Sequence, residues 1–160
     1  MGIIELIQRY GPDLLIQFLE HLQIIGISVV ASIVVSVPLG FFASTRPKLS
    51  RVILYIASIL MTVPSLALFG IMVVVFAPVG LGLGLVPAVI AIIIYSILPI
   101  TRNTITALNQ VSSSMIEAAK GIGLTKRQIL WKVKLPLSIP VIMAGIRNAT
   151  VLGVGVATYA

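Results

Sequence analysis

The chain has 160 residues, 59% of them hydrophobic and 9% charged, with a mean hydropathy of +1.18. Ordinary soluble domains carry roughly 25% charged residues, so this composition excludes a soluble globular enzyme, a disordered chain and a nucleic-acid-binding arm. A net charge of +7 with no cysteine, one histidine and four acids excludes disulfides and thiolate sites. It leaves almost nothing for metal ligation or acid–base catalysis, so no catalytic residue, metal or cofactor is expected.

In chain order, the first 21 residues carry Glu5, Asp13 and Glu20 and lack a basic n-region, unlike a cleavable signal peptide. Leu14, Leu15, Phe18 and Leu22 share one helical face, away from Asp13, Gln17 and Glu20, which predicts an amphipathic lead-in over 1–21 lying on the membrane. A spanning helix needs about 20 apolar residues. Leu22–Thr45 offers 24 without a charge and Val52–Thr101 offers 50. The longer run exceeds one bilayer crossing and must fold back, at the Gly/Pro-rich stretch Ala77-Pro78-Val79-Gly80-Leu81-Gly82-Leu83-Gly84. Spans are therefore predicted near 22–42, 52–76 and 85–101. A fourth apolar run, Leu135 to Ala160, is interrupted only by Arg147. The expected fold is an all-α polytopic transmembrane bundle of about four spans, the last short or truncated because the chain stops in an apolar run.

Arg46, Lys48 and Arg51 follow the first span, and Arg102, Lys120, Lys126, Arg127, Lys132 and Lys134 follow the third. The turn at 77–84 has no basic residue and the lead-in has only Arg9. The positive-inside rule then places 43–51 and 102–136 in the cytoplasm and the N-terminus outside. Nine of the eleven basic residues fall inside, so the basic charge calls for no nucleic acid.

Segment 102–136 has internal order. Ser114-Met115-Ile116-Glu117 fits a capping box, predicting a helix from Met115 to Lys120 that Gly121 and Gly123 stop. Thr125-Lys126-Arg127-Gln128 fits a second box, opening a helix with Ile129, Leu130 and Val133 on one face that Pro136 ends or kinks. The product is helix, glycine turn, helix against the inner membrane surface: a built docking element, or a basic loop that only obeys the positive-inside rule.

Glu117-Ala118-Ala119, three residues, Gly123, nine residues, Val133, one residue, Leu135-Pro136 resembles the EAA signature of ABC-importer permeases, with Val133 in place of isoleucine. The resemblance implies that this segment, with Gly121 and Leu124 in its turn, is the coupling loop seated in a cleft of an ATP-binding subunit. Glu117, Ala118, Ala119 and Gly123 would contact that ATPase. Glu117 would pair with a basic group or cap its helix. Thr62–Gly70 and Leu98–Thr104 are similar to segments of the osmoprotectant subfamily, which imports glycine betaine, choline, carnitine and related compounds. The implied partners are an ATP-binding subunit, a second permease subunit, an extracytoplasmic substrate-binding protein and the bilayer of a bacterial inner membrane. A permease for another small solute such as an amino acid is the alternative within the class. A fifth span is also implied, and this chain is expected to lack it.

No Gly-x4-Gly-Lys-[Ser/Thr] run occurs, so ATP is expected to be hydrolysed elsewhere. Ion-coupled carriers keep ionisable groups in their spans, and no Asp or Glu lies between Glu20 and Glu117. That argues against a secondary transporter or channel, and a plain membrane scaffold would not need so specific a loop. For the pathway, Pro64 in mid-span frees a backbone carbonyl that Ser/Thr or neighbouring helices must satisfy, with Thr62 and Ser65 beside it. It is either a packing kink or a kink lining the route. Arg147 either snorkels to the inner headgroups or faces a helix interface. Tyr55 and Tyr95 are the span aromatics, too scattered for a cation-binding cage, and Trp131 lies in the basic segment.

Overall fold

The computed structural model describes residues 3–158, and among them there is no strand. The elements are α1 (Ile3–Ser44), α2 (Pro47–Thr62), α3 (Ser65–Phe76), a short 3-10 turn (Ala77–Val79), α4 (Leu85–Asn109), α5 (Ser113–Gly121), α6 (Lys126–Ile129), a π-turn (Leu130–Lys134) and α7 (Leu135–Ala157). Stretches of α1, α4 and the continuous rod Lys126–Ala157 are each long and apolar enough to cross a membrane. Helices α2 and α3 together make a fourth candidate, bent by 96° at their junction.

Three sequence expectations change here. The lead-in is not a separate helix: α1 runs through residue 21 without a break, past Pro12 and Pro38. Its 42 residues extend about 63 Å at 1.5 Å per residue, twice the hydrocarbon thickness. The face of Leu14, Leu15, Phe18 and Leu22 is exposed. Second, α4 does not end at Arg102 but continues to Asn109. Thr104, Ile105, Ala107 and Leu108 stay buried beyond the charge, whereas Arg102 is exposed, so the arginine marks a face and not an end. Third, the segment 102–136 is therefore mostly helix, leaving only short connectors between α4, α5 and α6. The Gly/Pro stretch does reverse the chain, with positive φ at Gly80 and Gly84. The last residues of the fourth apolar run lie outside the described residues.

Helix α4 is the centre of the bundle. It packs along α1 and α7, and α2 and α3 lie against it. Between spanning helices the lipid offers no hydrophobic drive, so close approach of small residues supplies the contact. On α1 the approach is made by Ser28, Ser32 and Ser36, all fully buried at one-turn intervals, and then by Gly40. A Cβ on Gly40 would come within 2.6 Å of the Thr104 Cβ. The Thr101 hydroxyl donates to the Ser36 carbonyl at 3.3 Å, bonding α4 to α1. On α7 the buried positions Ser138, Ile142, Gly145, Ala149, Gly153 and Val156 recur at helical spacing. Large apolar side chains such as Val34, Phe42, Val74 and Val151 point outward, as lipid-facing positions do.

Candidate functional site

Two regions collect the candidate residues: the helix-turn-helix after α4, and the break between α2 and α3.

In the first, α5 starts two residues before the expected Met115. Ser112 takes the N-cap position without a side-chain cap bond, and its carbonyl accepts the first helical bond from the Ile116 N–H at 3.2 Å. Ser114 and Glu117 therefore lie inside the helix, and the first capping box does not form. The Ser112-Ser113-Ser114 run offers three starts, and the helix takes the first. The second box does form. The Gln128 N–H donates to the Thr125 hydroxyl at 3.3 Å, and the Thr125 N–H donates to the Gln128 side-chain oxygen at 2.8 Å.

Between the helices, the Gly123 N–H donates to the Lys120 carbonyl at 2.9 Å and the Leu124 N–H to the Ala119 carbonyl at 3.1 Å. With φ +83° at Gly123, this is a Schellman motif. Gly121 is the last helical residue and has ordinary helical backbone, so Gly123 alone makes the turn. The expected signature residues divide by exposure. Ala119 is buried and helps to close the turn, and Val133 and Leu135 are half-buried, whereas Glu117, Ala118, Gly121 and Gly123 face outward. Leu124 is half-buried behind them.

The helix after Thr125 is neither ended nor broken by Pro136, which is exposed near the start of α7. Proline clashes with the carbonyl four residues back and brings no N–H. A π-turn immediately before it, with the Leu135 N–H bonded to the Leu130 carbonyl, widens the helix where that conflict arises. The rod thereby joins the turn to a spanning helix without a joint.

In the second region, Pro64 does more than kink a span. Proline drives the preceding residue out of helical conformation, and Val63 is extended at φ −66°, ψ 128°. Pro64 then caps α3, its carbonyl accepting from the Leu68 N–H at 2.9 Å. The carbonyl freed at Val63 is satisfied by the Tyr95 hydroxyl of α4, not by Thr62 or Ser65. The Thr62 hydroxyl is committed to the Ile59 carbonyl at 2.7 Å. Beside the break lies an open cavity of about 520 Å³ lined by Thr62, Pro64, Ser65 and Tyr95, with Leu152 and Gly155 of α7 opposite. Four of the five candidate pathway residues are thus brought together. Arg147 is not among them and lies on an exposed face of α7. The α7 wall was not anticipated from sequence, because nothing local marks which face of α7 meets the break. A further cavity of about 560 Å³, lined by Gln17, Glu20, His21 and Gly84 among others, opens between α1, the start of α4 and the end of α7.

Comparison with known proteins agrees with this geometry. Residues 36–160 match the model of the family described as binding-protein-dependent transport system inner membrane component. Among relatives, the osmoprotectant import permease protein OsmW of Salmonella typhimurium is 43% identical over 141 residues, covering 88% of this chain and 66% of its own length. The choline transport system permease protein OpuBB of Bacillus subtilis is 42% identical, covering 99% of this chain and 70% of its own length. The glycine betaine/carnitine/choline transport system permease protein OpuCB of Bacillus subtilis is also 42% identical, at 96% and 69%. The chain thus spans about two thirds of the length of these relatives. Among solved structures, a chain of the MetNI methionine ABC transporter in an inward-facing conformation superposes with a TM-score of 0.72 at 27% identity, over 86% of this chain and 68% of that one. The chain belongs to the family of binding-protein-dependent transport system inner membrane components.

Proposed function

We propose that this chain is the membrane-spanning permease subunit of an ATP-driven importer, carrying a small osmoprotectant such as glycine betaine, carnitine or choline. The observation that carries the reading is the Glu117–Pro136 segment. A glycine-closed turn with two bonded carbonyls presents Glu117 and Ala118 outward, and the rod behind it runs straight into the spanning helix α7. A push on α5 reaches α7 through that rod, so the energy source is a separate ATP-binding subunit docked on α5. The names of the relatives support the osmoprotectant class over an amino acid.

The cavity at the Val63–Pro64 break lines the route. A near-right-angle break ends one half-helix and begins another at the same point, leaving main-chain polar groups beside an otherwise apolar bundle. The Tyr95 hydroxyl holds the break open by taking the Val63 carbonyl. High-affinity selection of the solute belongs to an extracytoplasmic binding protein, since the cavity has one tyrosine and no aromatic cage. A second permease subunit covers the outward apolar faces and completes the pathway. In a bacterial inner membrane, 43–51 and the basic segment face the cytoplasm and the N-terminus faces outward, a reading that the lysine and arginine distribution supports.

The test is uptake by the complete complex in proteoliposomes. Glycine betaine, carnitine or choline should accumulate with internal ATP and the binding protein, and should continue to do so with an uncoupler present. Accumulation driven by a proton or sodium gradient without ATP would overturn the reading.

A further inference from the structure

Where the end of α1 meets α5 and α6 there is an open groove of about 350 Å³ that the coupling role does not use. Ile116, Ile129 and Leu130 give it an apolar lining, with Ile129 only 5% exposed. Four cations, Lys120, Lys126, Arg127 and Lys134, complete the lining, and no carboxylate does. Glu117 and Ala118 are exposed on α5 but do not line this groove. The surface that would meet an ATPase and the groove are therefore separate faces of one helix.

The depth of the groove follows from its neighbours. Thr45, immediately after α1, forms one edge, and Lys134, the last residue before α7, forms another. Trp131, in the same π-turn, is 55% exposed and packs at 5.6 Å from the Phe41 ring near the end of α1. Tryptophan concentrates at the membrane–water boundary, where its ring meets the headgroups. An apolar pocket with a concentrated positive charge at that level matches one chemistry on both counts: a phosphate for the cations and an acyl chain for the isoleucines and leucine. A soluble anion would satisfy the cations alone.

We propose that this groove holds one anionic phospholipid of the leaflet against which α5 and α6 lie, its phosphate among Lys120, Lys126, Arg127 and Lys134 and its proximal acyl chain on Ile116, Ile129 and Leu130. The lipid then acts as a fourth wall of the coupling segment, offsetting the mutual repulsion of four cations and fixing the angle between α5 and the α6–α7 rod. This rests on the permease reading only in assigning the leaflet to the cytoplasmic side. Lipid binding itself can be read without transport and without sidedness.

The experiment is native mass spectrometry of the full-length permease purified with its ATP-binding subunit in detergent, titrated with phosphatidylglycerol and, separately, phosphatidylcholine. Phosphatidylglycerol should be retained at one per permease chain in preference to phosphatidylcholine. The double variant Lys126→Gln, Arg127→Gln should hold it about thirtyfold more weakly, from about 1 kcal/mol per cation at a membrane surface and about 1.4 kcal/mol per tenfold. Lys132→Gln removes a neighbouring positive charge that does not line the groove, and should change retention less than about threefold. The charge-preserving exchange Lys126→Arg, Arg127→Lys should retain the lipid, which separates loss of charge from loss of fold. Equal binding of the two lipids, or equal losses for Lys132→Gln and the double variant, would overturn the proposal. So would a double variant that keeps phosphatidylglycerol but releases the ATP-binding subunit, since the groove would then serve an acidic protein segment. Failure of uptake with lipid retention intact would count against the transport reading and not against this one.

Discussion

Replacing Gly123 by valine tests the turn of the coupling segment most directly. Gly123 holds φ +83°, and a Cβ built on it meets no atom within 4 Å. The penalty is therefore backbone strain alone, with no steric share. For a residue with a side chain, left-handed backbone costs about 1–2 kcal/mol, and valine's branching puts it at the upper end. That strain opposes the two bonds that close the turn, Gly123 N–H to Lys120 O and Leu124 N–H to Ala119 O. A loss of about 1–2 kcal/mol shifts the closed turn by a factor of about 5–30. The spanning helices satisfy their own backbone groups and should insert normally. At matched expression, Gly123→Val should reduce co-purification of the ATP-binding subunit and uptake by about that factor. Gly123→Asn should be mild, because asparagine tolerates left-handed backbone, and Gly123→Ala should lie between them. Gly121→Ala is the contrast: that residue is helical with open space at its Cβ, so alanine should stabilise α5 by about 0.5–1 kcal/mol. If Gly123→Val assembles and transports like the wild type, or if asparagine is as damaging as valine, the left-handed turn does not matter for docking.

Three further outcomes follow from the packing and the charge pattern. Tyr95→Phe removes the donor to the Val63 carbonyl, and should cost about 1–3 kcal/mol of stability for the orphaned acceptor; thermal unfolding of the purified complex reads this, and an unchanged midpoint would mean that the break needs no tyrosine. Gly40→Val places side-chain atoms where Thr104 already stands, since even a Cβ would sit 2.6 Å from the Thr104 Cβ; the separation of α1 from α4 should appear as loss of folded protein in the membrane fraction, and normal yield would refute the close approach. Cysteine at Leu83, 85% exposed in the turn before α4, should react with an impermeant maleimide in intact cells while cysteine at Lys126 should not; the reverse pattern would invert the orientation.

The extent of the fold that was legible depended on how local its cause is. The Gly/Pro reversal at 77–84 and the Thr125–Gln128 box are decided by residues adjacent in the chain, and each is found where the sequence places it, whereas the apolar runs mark which segments are helical and not where those helices begin, end or break. The left-handed turn at Gly123 is of the same kind, because two bonds within six residues close it. What the sequence could not decide were questions of which face meets which. Arg102 reads as the end of a span, yet α4 continues because its buried face persists opposite the charge. Ser114 and Glu117 satisfy the pattern of a capping box, yet Ser112 starts the helix, since three consecutive serines offer three starts and the pattern does not say which is used. Pro64 announces a disturbance, but not its size, a 96° break, nor that a hydroxyl 32 residues away takes the Val63 carbonyl. Pro136 announces another, and there the helix absorbs it in a wider turn and continues. Two prolines with the same covalent constraint thus give a break and an unbroken rod, because the Val63 carbonyl beside the first finds its partner on α4, 32 residues away, which only the tertiary structure supplies, whereas the second is absorbed by a wider turn of its own helix.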